Sequence, residues 1–155
     1  MSLIVFDLEW NIGYQPKTFL YHGAEQTLRG EIIQIGAVKV DETGRVLDTF
    51  SMDLKPRIFR KLQHHIAKVT GFTQKQMDAG VPIKEGLARF VKWCGPDARF
   101  GEWGMDDVPV LKQNLYLVGL DESWPAVWYD LQQIFLAQHP RGEGEGMTLE
   151  SVITR

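Results

Sequence analysis

Leu3, Ile4, Val5 and Phe6 form an unbroken apolar run, the pattern of a strand covered on both faces. Asp7 and Glu9 follow at i and i+2, and the period of two in a strand points both to one side. The next stretch is polar and carries Gly13, Pro16 and Gly23, which predicts a loop or excursion. Residues 31–40, EIIQIGAVKV, read as a second strand rich in Ile and Val, and DETGRV supplies a Gly-containing hairpin turn. Residues 46–54 alternate apolar and polar and pair back as a third strand that ends before Pro56. KLQHHIAKVTGFT predicts a short helix that stops at Gly71. Pro82 opens a clearer helix, with Ile83, Leu87, Phe90, Val91 and Cys94 recurring down one face. A short strand is expected over 98–104, then a helix with Asp106 and Asp107 at its start, Pro109 in its first turn, and Val110, Leu111, Leu115 and Val118 behind. AVWYDL predicts another strand and QQIFLAQ another short helix.

The order β-β-β-α-β-α-β-α predicts an α/β architecture, a mixed sheet flanked by helices. With 155 residues, 44% hydrophobic and 24% charged, the chain has the size and composition of one ordinary globular domain. The single Cys94 excludes an internal disulfide framework or a cysteine-cluster metal site, and makes a reducing, cytoplasmic setting the default. No apolar run approaches the roughly 20 residues of a membrane-spanning helix. A net charge of −3 argues against broad electrostatic wrapping of duplex DNA, but leaves room for a local basic patch or a metal-dependent contact with phosphate.

The two carboxylates at the end of the first strand pose a physical problem. Like charges side by side beside a core are costly unless something positive lies between them. Four stretches bear on this, in order along the chain. FDLE (6–9) resembles the first motif of the DEDD 3′→5′ exonucleases, the superfamily of ribonuclease T, polymerase proofreading subunits and histone-mRNA-type exonucleases. EIIQIGAVKV resembles that family's second strand, TGFT (70–73) its T-G-I-T turn, and WGMDDVPVLKQN its second motif in a W-G-x-x-D form. The resemblance implies a ribonuclease-H-like fold. It also implies an enzyme that removes nucleotides from the 3′ ends of single-stranded RNA or DNA and releases 5′-monophosphates.

It further implies a two-metal site for Mg²⁺ or Mn²⁺, hard cations that favour carboxylate oxygens and take few protein ligands when substrate and water complete the shell. On this resemblance Asp7 bridges the ions, Glu9 holds the water-bearing one and Asp107 supports the other. The W-G-x-x-D spacing from Trp103 selects Asp107, and Asp106 is left as the helix N-cap. Leu8, Trp10, Gly71, Phe72 and Trp103 are the expected substrate contacts, Trp10 by stacking on a terminal base. The simpler alternatives are capping for Asp107, a helix stop for Gly71, core packing for the other tryptophans and solvation for His64 and His65. Glu31 opens a strand and reads as exposed. Glu25, Glu102 and Asp130 are candidate outer-shell groups without a spacing argument.

The resemblance breaks after Val127. The family's third motif, H-x-x-x-x-D, has no match, because His139 is followed by PRGEG. MTLESVITR instead resembles the segment that precedes the motif. Residues 1–155 therefore read as one exonuclease domain lacking its third-motif segment, with a truncated C-terminal helix and weak or absent activity. The apolar face left open would be buried by a homodimer or by segment exchange. The rival functions are a catalytically silent exonuclease fold that binds nucleic acid or regulates, and a hybrid endonuclease of the same fold.

Overall fold

The computed structural model describes residues 3–102, 106–123 and 127–130. The first strand, β1 (Leu3–Asn11), is central to a six-stranded mixed sheet. It pairs antiparallel with β4 (Glu31–Val40), which pairs antiparallel with β5 (Val46–Lys55). On its other side β1 runs parallel to β7 (Arg99–Glu102), which carries β8 (Trp128–Asp130) in parallel at the edge. The two-residue β6 (Val81–Pro82) closes the far edge beside β5. This is the expected mixed sheet.

Alternation along β1 divides two cores. Ile4, Phe6 and Leu8 face the main one, with Phe90 of α3 (Ile83–Cys94) and Leu111 and Leu115 of α4 (Asp107–Leu117). The α3 face is the one expected, with Ile83, Leu87, Phe90 and Cys94 buried and Val91 at its margin. Gly86 lets α3 press onto β5, because a Cβ there would lie 2.1 Å from the Leu54 side chain. Burial pushes the Cys94 thiol well above its usual range, so it behaves as a small apolar filler. On the opposite face a second cluster joins Ile33 to Leu62, Phe72 and Met77 beneath α1 (His64–Thr70) and α2 (Gln74–Asp78). A bulge in β4 makes this possible: Glu9 opposes Gln34 while Trp10 opposes Ile32, so Ile33 is the extra residue.

Two expectations are corrected. The stretch expected as a loop holds a two-stranded hairpin, β2 (Thr18–Tyr21) and β3 (Ala24–Thr27). Its turn places His22 and Gly23 both at positive φ, the geometry of a tight hairpin turn. The hairpin docks on α4 through Tyr21 and Tyr116, whose ring centroids are 4.8 Å apart. The short helix expected up to Gly71 is α1, which ends there, and a further helix, α2, follows the Gly71 turn. Glu31, read as exposed, is 3% exposed, and its carboxylate accepts the N–H groups of Arg57, Ile58 and Phe59. Its register partner Asn11 donates to the carbonyls of Phe59 and Lys61 and accepts from the Gln63 N–H. Together the two side chains strap segment 57–63 across the end of β1 and β4.

His64 and His65 are exposed on α1, as expected. Among the described residues no helix is long and apolar enough to cross a membrane. The expected helix QQIFLAQ, His139 and the MTLESVITR segment lie outside the described residues.

The Glu31 strap predicts a sharp difference between two substitutions. Glu31→Ala leaves three partly buried donors without that acceptor and should lower stability by about 1–3 kcal/mol, since water reaches part of the segment. Glu31→Gln keeps one acceptor oxygen and should cost clearly less. Urea unfolding midpoints of the two variants check this.

Candidate active site

β1 outlasts its neighbour. The β1–β7 ladder covers only Leu3 to Val5, whereas β1 continues to Asn11. After β7 the next described element is α4, and Asp107 at its first position points back at β1. Its Oδ2 accepts the Leu8 backbone N–H at 3.1 Å, across 99 residues of sequence. A helix residue thus takes the hydrogen bond that a longer β7 would have made. This anchor holds the Asp107 carboxylate close enough to Asp7 for the charge of Asp7 to raise its pKa.

The start of α4 is capped differently from expectation. Asp106 occupies the N-cap position but makes no side-chain capping bond, and its backbone is helical rather than extended. The cap is Glu102, at the end of β7, whose Oε2 accepts the Val108 N–H at 3.1 Å. Glu102 is wholly buried, and its Oε1 has no hydrogen-bond partner among the described residues. The sequence offered it only as an outer-shell candidate. The signal that could have found it is a carboxylate ending an apolar strand just before a helix.

The electrostatics follow from this crowding. Burial raises the Asp107 pKa to about 7 against the lowering effect of the Leu8 N–H, and the charges of Asp7, Glu102 and Asp106 add to the rise. Burial likewise raises Glu102 to about 7, against the N–H groups of Val108 and Asp107, with Asp130 and Asp106 contributing repulsion. No positive side chain is among the causes acting on either group. A divalent cation would supply what is missing.

Asp7 is exposed and Glu9 half-buried, and alternation places both on the sheet face opposite the main core. Among the described residues no three His, Cys, Asp or Glu side chains stand as a closed ligand group. The expected convergence of Asp7, Glu9 and Asp107 is therefore not a preformed cage. Without a cation, like charges have no reason to close together. The oxygen-only donor set, half in solvent and half buried, fits a hard cation whose shell is completed by phosphate and water.

The expected substrate contacts separate into groups. The Trp10 ring lies with the main core and against Gly30, where a Cβ would sit 2.3 Å from its Cδ1. Trp10 alternates to the face away from Asp7 and Glu9, where its partly buried ring packs against the main core. The side chain of Leu8 is buried, and its contribution to the site is the N–H that anchors Asp107. Gly71 ends α1 at φ 78°, donating to the Ala67 carbonyl at 2.9 Å, which is the helix-stop alternative. Phe72 is buried in the second cluster and fixes that turn from within. Trp103 lies outside the described residues.

The raised carboxylates predict a pH dependence for the metal-free protein. An acid whose folded pKa exceeds its unfolded value binds its proton more tightly when folded, so stability falls as pH rises between the two. The window runs from the ordinary values of 3.8 and 4.5 up to about 7. In chelator the protein should be more stable at the bottom of this window than above it. Asp107→Asn, which keeps the acceptor for the Leu8 N–H, should flatten the slope. Denaturant midpoints across the range test this, and an unchanged slope would contradict the electrostatic reading of Asp107.

Comparison with known proteins bears on the same elements. A family model described as an exonuclease, RNase T, matches residues 4–135. The probable 3′-5′ exonuclease KapD of Bacillus subtilis is 33% identical over 119 residues, covering 73% of this chain and 52% of KapD. ERI1 exoribonuclease 2 of Homo sapiens is 34% identical over 95 residues, covering 59% of this chain and 12% of that protein. The chain thus spans about half the length of one curated relative and a small part of the other. Among solved structures, E. coli exonuclease I in complex with a dT13 oligonucleotide superposes with a TM-score of 0.71 at 16% identity, covering 95% of this chain and 31% of its own. A zinc-bound form of the E. coli exonuclease I–single-stranded DNA complex gives 0.72 at 16% identity, with the same coverage. The sheet order, the anchoring of α4 on β1 and these matches agree: the fold is ribonuclease-H-like, and the chain belongs to the RNase T exonuclease family.

Proposed function

We propose that this domain is the catalytic part of a metal-dependent 3′→5′ exonuclease that trims single-stranded RNA or DNA and releases 5′-monophosphates. The observation that carries the reading is the anchoring of Asp107 on the Leu8 N–H, within electrostatic reach of Asp7. Three acidic side chains, Asp7, Glu9 and Asp107, would hold Mg²⁺ or Mn²⁺. Such ions, when bound, supply charge neutralisation to the phosphoryl oxygens and a more acidic water.

The chain's own residues set the geometry. The Leu8 N–H fixes one oxygen of Asp107 and leaves the other for a ligand. Glu102 fixes the first turn of α4 and so the direction from which Asp107 approaches. The strap from Glu31 and Asn11 holds segment 57–63 at the end of the strand that bears Asp7 and Glu9, and so fixes one border of the site. Relatives named as 3′-5′ exonuclease and exoribonuclease support the chemical class.

The test is trimming of 5′-labelled single-stranded oligonucleotides in Mn²⁺, with free and 3′-phosphate-blocked ends, by this chain and by one extended past Arg155. Stepwise shortening from a free 3′ end is expected, lost on chelation and reduced at least about 10²-fold by Asp7→Ala, the scale of removing one electrostatic group from an active site. Internal cleavage of a blocked strand would instead favour a hybrid-type endonuclease. Tight binding with no Asp7-dependent trimming in either chain would favour a silent binding module.

A further inference from the structure

Gly36 lies in the middle of β4, a central strand, directly opposite Asp7. Glycine weakens a strand interior, because it loses the most conformational freedom on folding and packs no side chain. Other glycines in this chain have internal reasons. At Gly13, Gly30, Gly80 and Gly86 a Cβ would lie between 2.1 and 2.6 Å from a neighbouring atom, and five more sit at positive φ. Gly36 has neither reason. Its φ is not positive, and among the described residues a Cβ there would meet no atom within 4 Å. Among the described residues neither packing nor backbone would bar a side chain there, and the glycine keeps that space open.

That space borders the candidate active site. Opposed residues of an antiparallel pair carry their Cβ positions on one face, about 4.5–5.5 Å apart. The absent Gly36 side chain would therefore project beside Asp7. The next position across the sheet is Ser51, another small residue. One row further, toward Glu9, the Gln34 amide donates to Asp53 at 3.0 Å and the Gln76 amide donates to the same carboxylate at 3.2 Å. The flank of Asp7 is thus a shallow floor of bare backbone and small side chains, walled on one side by a bonded polar row. A mid-strand glycine with open space over it marks a place where a ligand or another backbone approaches closely.

We propose that Gly36 is a substrate-contact position, its exposed backbone forming the floor on which the sugar of the 3′-terminal nucleotide lies while the phosphate next to it reaches Asp7 and Glu9. This deepens the exonuclease reading and rests on it. A puckered sugar ring needs van der Waals approach to the strand, and a branched side chain at residue 36 would fill that volume while leaving both carboxylates in the chain.

The test compares Gly36→Ala and Gly36→Val in the full-length chain by three measurements: melting temperature, Mn²⁺ binding without nucleic acid, and binding of a labelled single-stranded oligonucleotide with Ca²⁺ in place of Mn²⁺. Gly36→Val should melt no lower than the parent, bind Mn²⁺ within about twofold of it, and bind the oligonucleotide at least about tenfold more weakly, with Gly36→Ala between. Oligonucleotide binding by Gly36→Val equal to the parent's, with Asp7 dependence intact, overturns the floor alone. A lower melting temperature for Gly36→Ala also overturns it, because the space would then be filled by the protein's own chain. Oligonucleotide binding and trimming by the parent that ignore Asp7→Ala overturn the nuclease reading itself.

Discussion

One backbone N–H organises the site. β1 has β4 beside it throughout but β7 beside it only at its beginning, so among the described residues no strand stands where the Leu8 N–H points. Left unpaired in the interior it would cost about 1–3 kcal/mol. Asp107 removes that cost and in doing so fixes where α4 starts and which way its first residue points. The same bond commits a carboxylate to partial burial near Asp7, Glu102 and Asp106. The fold satisfies its hydrogen bonds at the expense of its charge balance, and the residual repulsion is what a cation would relieve.

The buried amides of α4 extend this arrangement to the far end of the strand pair. Asn114 accepts the Ile32 N–H and donates to the carbonyls of Gly30 and Val110, while Gln113 accepts the Arg29 N–H and donates to the Thr27 carbonyl. The helix that presents Asp107 is therefore also stitched to the start of β4. Glu31, one residue from that stitch, holds segment 57–63 on the other face. A displacement of α4 along its axis would be felt at both faces of the sheet.

Much of this was legible in the sequence, because the strongest signals there are apolar periodicity and local motif spacing. Leu3–Phe6, EIIQIGAVKV and the α3 face gave the sheet and the main core, and W-G-x-x-D separated Asp107 from Asp106. Partners fixed by register were not legible. Glu31 opposite Asn11, Gly36 opposite Asp7 and Glu102 beneath the first turn of α4 are set by strand pairing and strand ends, which leave no periodic trace. The hairpin over residues 18–27 escaped because its second strand is wholly exposed and carries no apolar alternation. Trp10 shows how far adjacency can be read: its neighbour in sequence, Glu9, lies on the opposite face of the strand.

The bulge in β4 has a consequence for chain length. From Val38 to Gln34 the strand keeps one alternation against β1, and the extra Ile33 resets it so that Glu31 faces segment 57–63 and Ile32 faces the main core. Deleting one residue between Glu31 and Gln34 would restore a regular ladder with Glu31 still opposite Asn11, but would leave a single isoleucine where the main core takes Ile32 and the second cluster takes Ile33. The second cluster of Leu62, Phe72 and Met77 would then lose its Ile33 side chain. This stretch can absorb a change of side chain far more readily than the loss of a single peptide unit, so its length is as much part of the site's specification as its composition.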